Sequence, residues 1–164
     1  MAASDAEREA ATDTEADASR AAWMGTLAKA KPAELAARWA ALCAELPDEP
    51  EWRLLRGPET GMVMVRGRAG GDGQAFNLGE MTVTRCTVRL NDGAVGHAYV
   101  AGRDGRHAEI AAAVDALMLD GRRATAEAIV VRPLAEAQAA RRDLAARQAN
   151  ATKVEFFTLV RGED

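Results

Sequence analysis

The chain has 164 residues, which indicates one domain large enough to bury a core of its own. Its apolar fraction of 48% is rich in alanine and only 4% of residues are aromatic, so we expect thin, alanine-lined helix contacts. Residues 1–20 hold six acids and two arginines, so the rest of the chain is neutral, with 19 residues of each sign. A neutral body argues against a dedicated nucleic-acid binder, because phosphate contacts require a basic excess.

The N-terminal part reads as an acidic leader followed by two helices. Residues 1–18 lack apolar residues at helical spacing, so we expect a disordered leader and a single domain over residues 19–164. Trp23 and Leu27 mark a short helix, and Pro32 can begin the next one. That second helix carries an apolar stripe made of Leu35, Trp39, Leu42 and Leu46. The sequence has no bilayer-length apolar run and no signal-peptide pattern, so we expect a cytoplasmic protein without membrane contact.

Two strands are predicted next, over residues 51–55 and 60–66. The second is apolar on both faces, as an inner strand would be. The glycine-rich residues 67–73 match neither the P-loop nor the dinucleotide fingerprint, so we interpret them as a turn rather than a phosphate cradle.

The central feature is a β-hairpin closed by Asn91-Asp92-Gly93, in which Gly93 can adopt the left-handed conformation that a three-residue loop needs. This turn sets the register: Leu90 lies opposite Ala94, and each residue before Leu90 then pairs with the next one after Ala94, beginning with Arg89 and Val95. One face is then small and apolar and should be the core side, formed by Thr84, Cys86, Val88, Leu90, Ala94, Gly96, Ala98 and Val100. Upstream of Thr84 the apolar residues, Met81 and Val83, are odd-numbered, whereas those of the core side are even-numbered. This change predicts a bulge near Thr84 or a second covered face.

The opposite face of the hairpin is basic and polar, and it carries Arg85, Arg89, His97 and Tyr99. Three interpretations stay open: an ordinary solvent face, a surface covered by a partner with arginine and tyrosine anchors, or a ligand site.

A helix follows the hairpin, with Asp104 as its N-cap and Gly121 just beyond its end. Its first turn gathers Arg103, Asp104, Arg106, His107 and Glu109. The free amides there could hold an anion, and helix capping with a solvated charge cluster is the alternative. His97 and His107 match no metal-binding spacing with Cys86 or Asp104, so we expect no metal site.

The C-terminal part reads as an edge strand over residues 128–131 and a helix over 134–149 that is either weakly buried or buried against another protein. Residues 152–161 are ambiguous, since Thr152 and Glu155 resemble a capping box, which favours a helix, whereas Val154, Phe156, Thr158 and Val160 alternate as in a strand. Together these elements predict an α+β domain, with an antiparallel sheet of about four strands and N- and C-terminal helices packed on it.

Several long segments of the sequence, in the same order along the chain, resemble the PhnG family. They are EMTVTRCTVRLNDG, GHAYVAGRD and HAEIAAAVDAL, with Glu59-Thr60-Gly61 before them and VEFFTLVRG after them. The resemblance covers roughly residues 23–162. PhnG is the G subunit of the bacterial carbon–phosphorus lyase system.

The resemblance implies a required subunit that is not itself catalytic. Such proteins act with the H, I and L proteins to replace the adenine of ATP by a phosphonate such as methylphosphonate, giving the ribose 1-phosphonate 5-triphosphate. The implied partners are chiefly the I subunit and, through the assembly, the H and J subunits. No cofactor is expected on this chain, since ATP and phosphonate are substrates of the complex. The rival hypothesis is a phosphate- or nucleotide-binding module or enzyme that acts alone, through Arg85, Arg89 and the Asp104 turn.

Overall fold

The computed structural model describes residues 18–68 and 73–152. Its elements are α1 (residues 18–28), α2 (Pro32–Glu45), β1 (Trp52–Gly67), β2 (Phe76–Leu90), β3 (Val95–Ala101), α3 (Gly105–Leu117), α4 (Arg123–Ala126), a π-helical turn (Glu127–Val131) and α5 (Arg132–Ala151). The α+β class is confirmed. The expectations for the leader and for residues 152–161 lie outside the described residues, apart from residues 18 and 152.

Within the described residues the sheet has three antiparallel strands in the order β1-β2-β3, where about four were expected. The two strands predicted for residues 51–55 and 60–66 are one strand, β1, whose pairing with β2 shifts between Leu54 and Arg56 and again between Arg56 and Glu59. Pro58 suggested a break between two strands. In the structure it lies in the irregular part of an edge strand, where proline is tolerated because no ladder amide is required.

The hairpin register is confirmed pair by pair between β2 and β3. Cys86 lies opposite Ala98, and Gly93 has the predicted positive φ, at 103°. The pairing runs unbroken across Thr84, so the expected bulge there is wrong, and the irregular positions are in β1 instead. The odd-numbered apolar residues of β2, Met81 and Val83, lie on the outer face of the sheet. Val83 is buried there and Met81 is exposed.

Helix α3 covers the inner face of the sheet at very short range. A Cβ at Gly96 would lie 2.0 Å from the carbonyl oxygen of Ala112 and 2.5 Å from the amide nitrogen of Ala116. The core is alanine-lined, as predicted, since five alanines of α3 are buried: Ala108, Ala111, Ala112, Ala113 and Ala116. Small residues on both sides let helix and strand approach each other closely.

Helix α1 is joined to this core by a buried carboxylate. Asp115 of α3 is fully buried and accepts hydrogen bonds from Arg20, at 3.3 and 2.8 Å, and from the indole of Trp23, at 2.8 Å. The amide of His97 donates to the same carboxylate at 2.9 Å. One side chain therefore links α1, α3 and the edge strand β3.

The C-terminal helices form one continuous helical stretch over residues 123–151. The predicted edge strand at residues 128–131 is wrong, because these residues form most of the π-helical turn. Its β-branched residues suggested a strand, but Val130 and Val131 are buried side by side against the body. The helix predicted for residues 134–149 is confirmed as α5, in which only Leu134 and Gln138 are buried.

Helix α3 ends at Leu117, so Gly121 lies in the following turn and not at the helix end. Among the described helices, none combines the length and apolarity that crossing a membrane requires.

Strands β1 and β2 continue beyond the helices as a two-stranded ribbon. Strand β3 ends at Ala101, opposite Val83, and the start of α3 contacts β1 at Pro58. Residues 62–67 and 76–82, which we call the β arm, are paired as strands only with each other within the described part of the chain.

Candidate functional site

The basic face predicted from the hairpin register lies on the outer face of the sheet, away from α3. Arg85 pairs with Tyr99, Thr87 with His97 and Arg89 with Val95. The structure therefore brings Arg85, Arg89, His97 and Tyr99 together on one face, as the alternation predicts. Whether they contact a partner or an anion stays a prediction.

Strand β1 adds two arginines that the sequence analysis missed. Arg53 lies directly opposite Arg89, and Arg56 lies opposite Thr87, so both belong to the outer face. We call Arg53, Arg56, Arg85 and Arg89 the arginine face. Simple alternation along β1 would place residues 53 and 56 on opposite sides, and only the pairing shift between Leu54 and Arg56 brings them to the same side.

Glu59 is the acidic partner of this face. Both Nε and Nη2 of Arg85 donate to its carboxylate, at 3.1 and 2.9 Å, and Arg56 Nη1 lies 3.9 Å from the same oxygen. The hydroxyl of Tyr99, and after it Glu59, raise the pKa of the exposed Arg85 guanidinium. Arg85 is therefore a fixed positive charge.

At the opposite end of the arginine face, no carboxylate of the described ranges lies within ion-pair distance of an arginine of that face. Arg53 and Arg89 form a like-charge pair across the two strands, and neither makes an ion pair with any residue of the described ranges. Nε of Arg89 is buried and lacks a hydrogen-bond partner there. Like charges directly opposite each other destabilise a sheet. This end of the face is thus suited to bind an anionic group.

The chemistry available on the outer face is hydrogen-bond donation and charge. A shallow depression of about 390 Å³ lies over Arg56, Arg85, Thr87, His97 and Tyr99. His97 Nδ1 is 3.1 Å from the hydroxyl of Thr87, so one ring nitrogen is engaged within the face. The arginines are spread along flat strands, and in β2 they are separated by about 13 Å at the usual rise. Such a row matches an extended acidic surface better than a single small anion.

The predicted group at the start of α3 lies on the helix-covered side and is separate from the outer face. The carboxylate of Asp104 accepts the amide of His107 at 2.9 Å, so the predicted N-cap is confirmed. The His107 ring is buried, with Nε2 2.8 Å from the carbonyl oxygen of Leu27, and it therefore joins α3 to the end of α1. Arg103 is exposed.

The two histidines do not share a site, because His97 lies on the outer face and His107 is buried beneath the sheet. Cys86 is also on the core side. Over the described ranges, no three His, Cys, Asp or Glu side chains gather closely enough to hold a metal ion.

Two comparisons with known proteins place the chain among its relatives. Residues 18–162 match the family model described as "Phosphonate metabolism protein PhnG". The chain is 48% identical over 148 residues to the alpha-D-ribose 1-methylphosphonate 5-triphosphate synthase subunit PhnG of Rhizobium meliloti (strain 1021). That alignment covers 90% of this chain and 92% of the relative.

Proposed function

The chain belongs to the PhnG family, and from this premise we propose that it acts with the H, I and L proteins in one reaction of phosphonate breakdown. That reaction transfers the ribose triphosphate of ATP to a phosphonate such as methylphosphonate and releases adenine. The support is the close relative, which is named as a subunit of the synthase that makes this product.

The role that we propose for this chain is assembly and not catalysis. The outer face offers donors and positive charge, and its one carboxylate, Glu59, is held by Arg85 at 2.9 Å. Such a face can bind an acidic surface, and its imidazole, His97, already has one ring nitrogen engaged with the Thr87 hydroxyl at 3.1 Å. We propose that the chain needs no cofactor of its own and works in the cytoplasm.

The observation that carries this proposal is the uncompensated Arg53 and Arg89 end of the arginine face. The charges repel each other in the isolated chain, and an acidic partner surface would relieve that repulsion. We propose the I subunit as the chief partner at this face, with the H and J subunits reached through the assembly. Arginine and tyrosine are the residue types that most often anchor such interfaces.

The test is co-purification of an Arg85→Ala/Arg89→Ala variant with the I subunit, together with adenine release from ATP plus methylphosphonate by the full set of proteins. Truncating an arginine that is buried against a partner typically costs about 2 kcal/mol or more of binding, so we expect assembly and activity to be lost together. Arg147→Ala, an exposed arginine of α5, is the matched control and should change neither.

Two other results would decide against an interface. If the double variant assembles but releases no adenine, the arginine face is a ligand site, which is the rival hypothesis of a phosphate-binding module. If it retains both assembly and activity, the face is ordinary solvated surface, where arginine pairs contribute little.

A further inference from the structure

The β arm carries more than half of the large apolar side chains that are exposed in the described part of the chain. Eleven large apolar side chains are exposed in the described part, and six of them lie in the arm: Met62, Val63, Met64, Phe76, Leu78 and Met81. Met62 is 67% exposed and Leu78 61%. Exposed apolar side chains gathered on one element in this way are typical of an interaction site.

The apolar residues of the arm are on both of its faces. Met62 and Met64 pair with Thr82 and Glu80 and extend the face that α3 covers in the body. Val63 pairs with Met81, and these two extend the outer face. A ribbon of two strands is only marginally stable in water, and none of the described helices lies over either face of this one. Both faces therefore need cover.

We propose that the β arm inserts into an apolar cleft of a different subunit of the same complex, which encloses both of its faces. This inference rests on the proposed function, since it assumes the assembly described above. The arm is continuous with the arginine face, because the depression at their junction is lined by Gly61, Val63 and Val83 together with Arg85 and Tyr99. One partner can thus contact both surfaces.

A second copy of this chain fits the arm poorly. Two arms stacked about a two-fold axis would cover one face of each and leave the other face exposed. The apolar groove between α1 and β3 encloses about 200 Å³, less than the roughly 300 Å³ of a small-molecule site, so it cannot hold a two-stranded ribbon.

The first test changes the two faces separately. Met62→Thr/Met64→Thr alters one face and Val63→Thr/Met81→Thr the other, and threonine retains the preference for strand. We expect each pair to lower binding to the co-expressed H, I and J subunits at least tenfold. Leu144→Gln, which changes a side chain 49% exposed on α5, is the control and should bind as the wild type does. If either pair of substitutions leaves binding unchanged, the arm is not enclosed.

The second test uses the unaltered chain and does not depend on how a variant folds. Hydrogen peroxide should oxidise Met62, Met64 and Met81 readily in the free chain and at least tenfold more slowly in the complex. Met118 is 2% exposed and should be protected in both states. Unchanged oxidation of the arm methionines in an assembled complex overturns the inference while the proposed function stands. Failure of the wild-type chain to assemble at all would overturn both, and a defined dimer that depends on the arm would assign it to a second copy.

Discussion

Asp115 is the side chain on which the attachment of α1 depends. It is 0% exposed, and its two oxygens receive donors from Arg20, Trp23 and the backbone of His97. His97 faces Thr87 of β2 at a position where the two strands exchange no backbone hydrogen bond. The amide of His97 therefore points away from β2, to the open edge of the sheet. Asp115 therefore also satisfies part of an exposed strand edge.

Replacing Asp115 with alanine should be among the most destabilising single substitutions in the chain. It would leave the Trp23 indole, the Arg20 guanidinium and the His97 amide without their buried acceptor, and breaking such a pair costs about 3–5 kcal/mol. Urea denaturation followed by circular dichroism measures the change in the free energy of unfolding. Asp143→Ala, at an exposed position of α5, should change it by less than about 0.5 kcal/mol. Equal stability of the two variants would mean that the hydrogen bonds of Asp115 contribute nothing.

Asp104 and Asp115 differ in how far the sequence could predict their hydrogen-bond partners. The partner of Asp104 is three residues away, and a cap follows from local spacing alone. The side-chain partners of Asp115 are 92 and 95 residues away, and nothing near it in the sequence points to them. An aspartate within an apolar helical stretch was the available signal, because a buried carboxylate requires donors from elsewhere.

Among the elements, α3 and β3 set the thickness of the domain through Gly96. The space that a side chain would need is already filled by the backbone of α3 at Ala112 and Ala116. Any larger residue must push the helix away from the sheet, and the alanine core beneath it cannot refill the gap.

Gly96→Ala should therefore destabilise the protein by about 3 kcal/mol, at the upper end of what one extra methyl group costs in a packed core. Gly61→Ala is the matched control in a strand, because a Cβ at Gly61 meets nothing within 4 Å. That substitution should leave the melting temperature unchanged or raise it slightly, since it removes backbone entropy from the unfolded chain. The comparison of the two melting temperatures is the measurement, and a similar value for both would show that α3 moves without cost.

The elements that sequence analysis predicted well are those with local signals. Gly93 and its neighbours were enough to predict the hairpin and its register, and therefore the positions of Arg85 and Arg89 on the arginine face. The rest depended on long-range pairing. The continuity of β1 past Pro58 is imposed by β2, which also brings Arg53 and Arg56 to the outer face. Similarly, residues 128–131 have strand-forming side chains, but the burial of Val130 and Val131 in a helix outweighs that weak preference.

At the scale of the whole molecule, charge and apolar surface are both distributed unevenly. The body is neutral over residues 21–164, yet four arginines share one sheet face with one glutamate. Of the large apolar side chains that are exposed in residues 18–68 and 73–152, six of eleven are in the β arm, next to that face. A subunit that is covered in its complex would present both surfaces, whereas a ligand site alone would account for the arginines and not for the apolar arm.

The uncovered arm should make the isolated chain associate with itself. Bare apolar faces bind one another without a defined geometry, so we expect a molar mass that rises with concentration and a mixture of sizes, not one dimer. Size-exclusion chromatography with light scattering measures this directly. Met62→Thr/Met64→Thr should lower the mass, and combining it with Val63→Thr/Met81→Thr should bring the mass close to that of the monomer. Leu144→Gln should not lower it, because its side chain lies on α5, away from the arm. A wild-type chain that stays a single, stable monomer at high concentration would contradict the argument, since its exposed apolar surface would then need no partner.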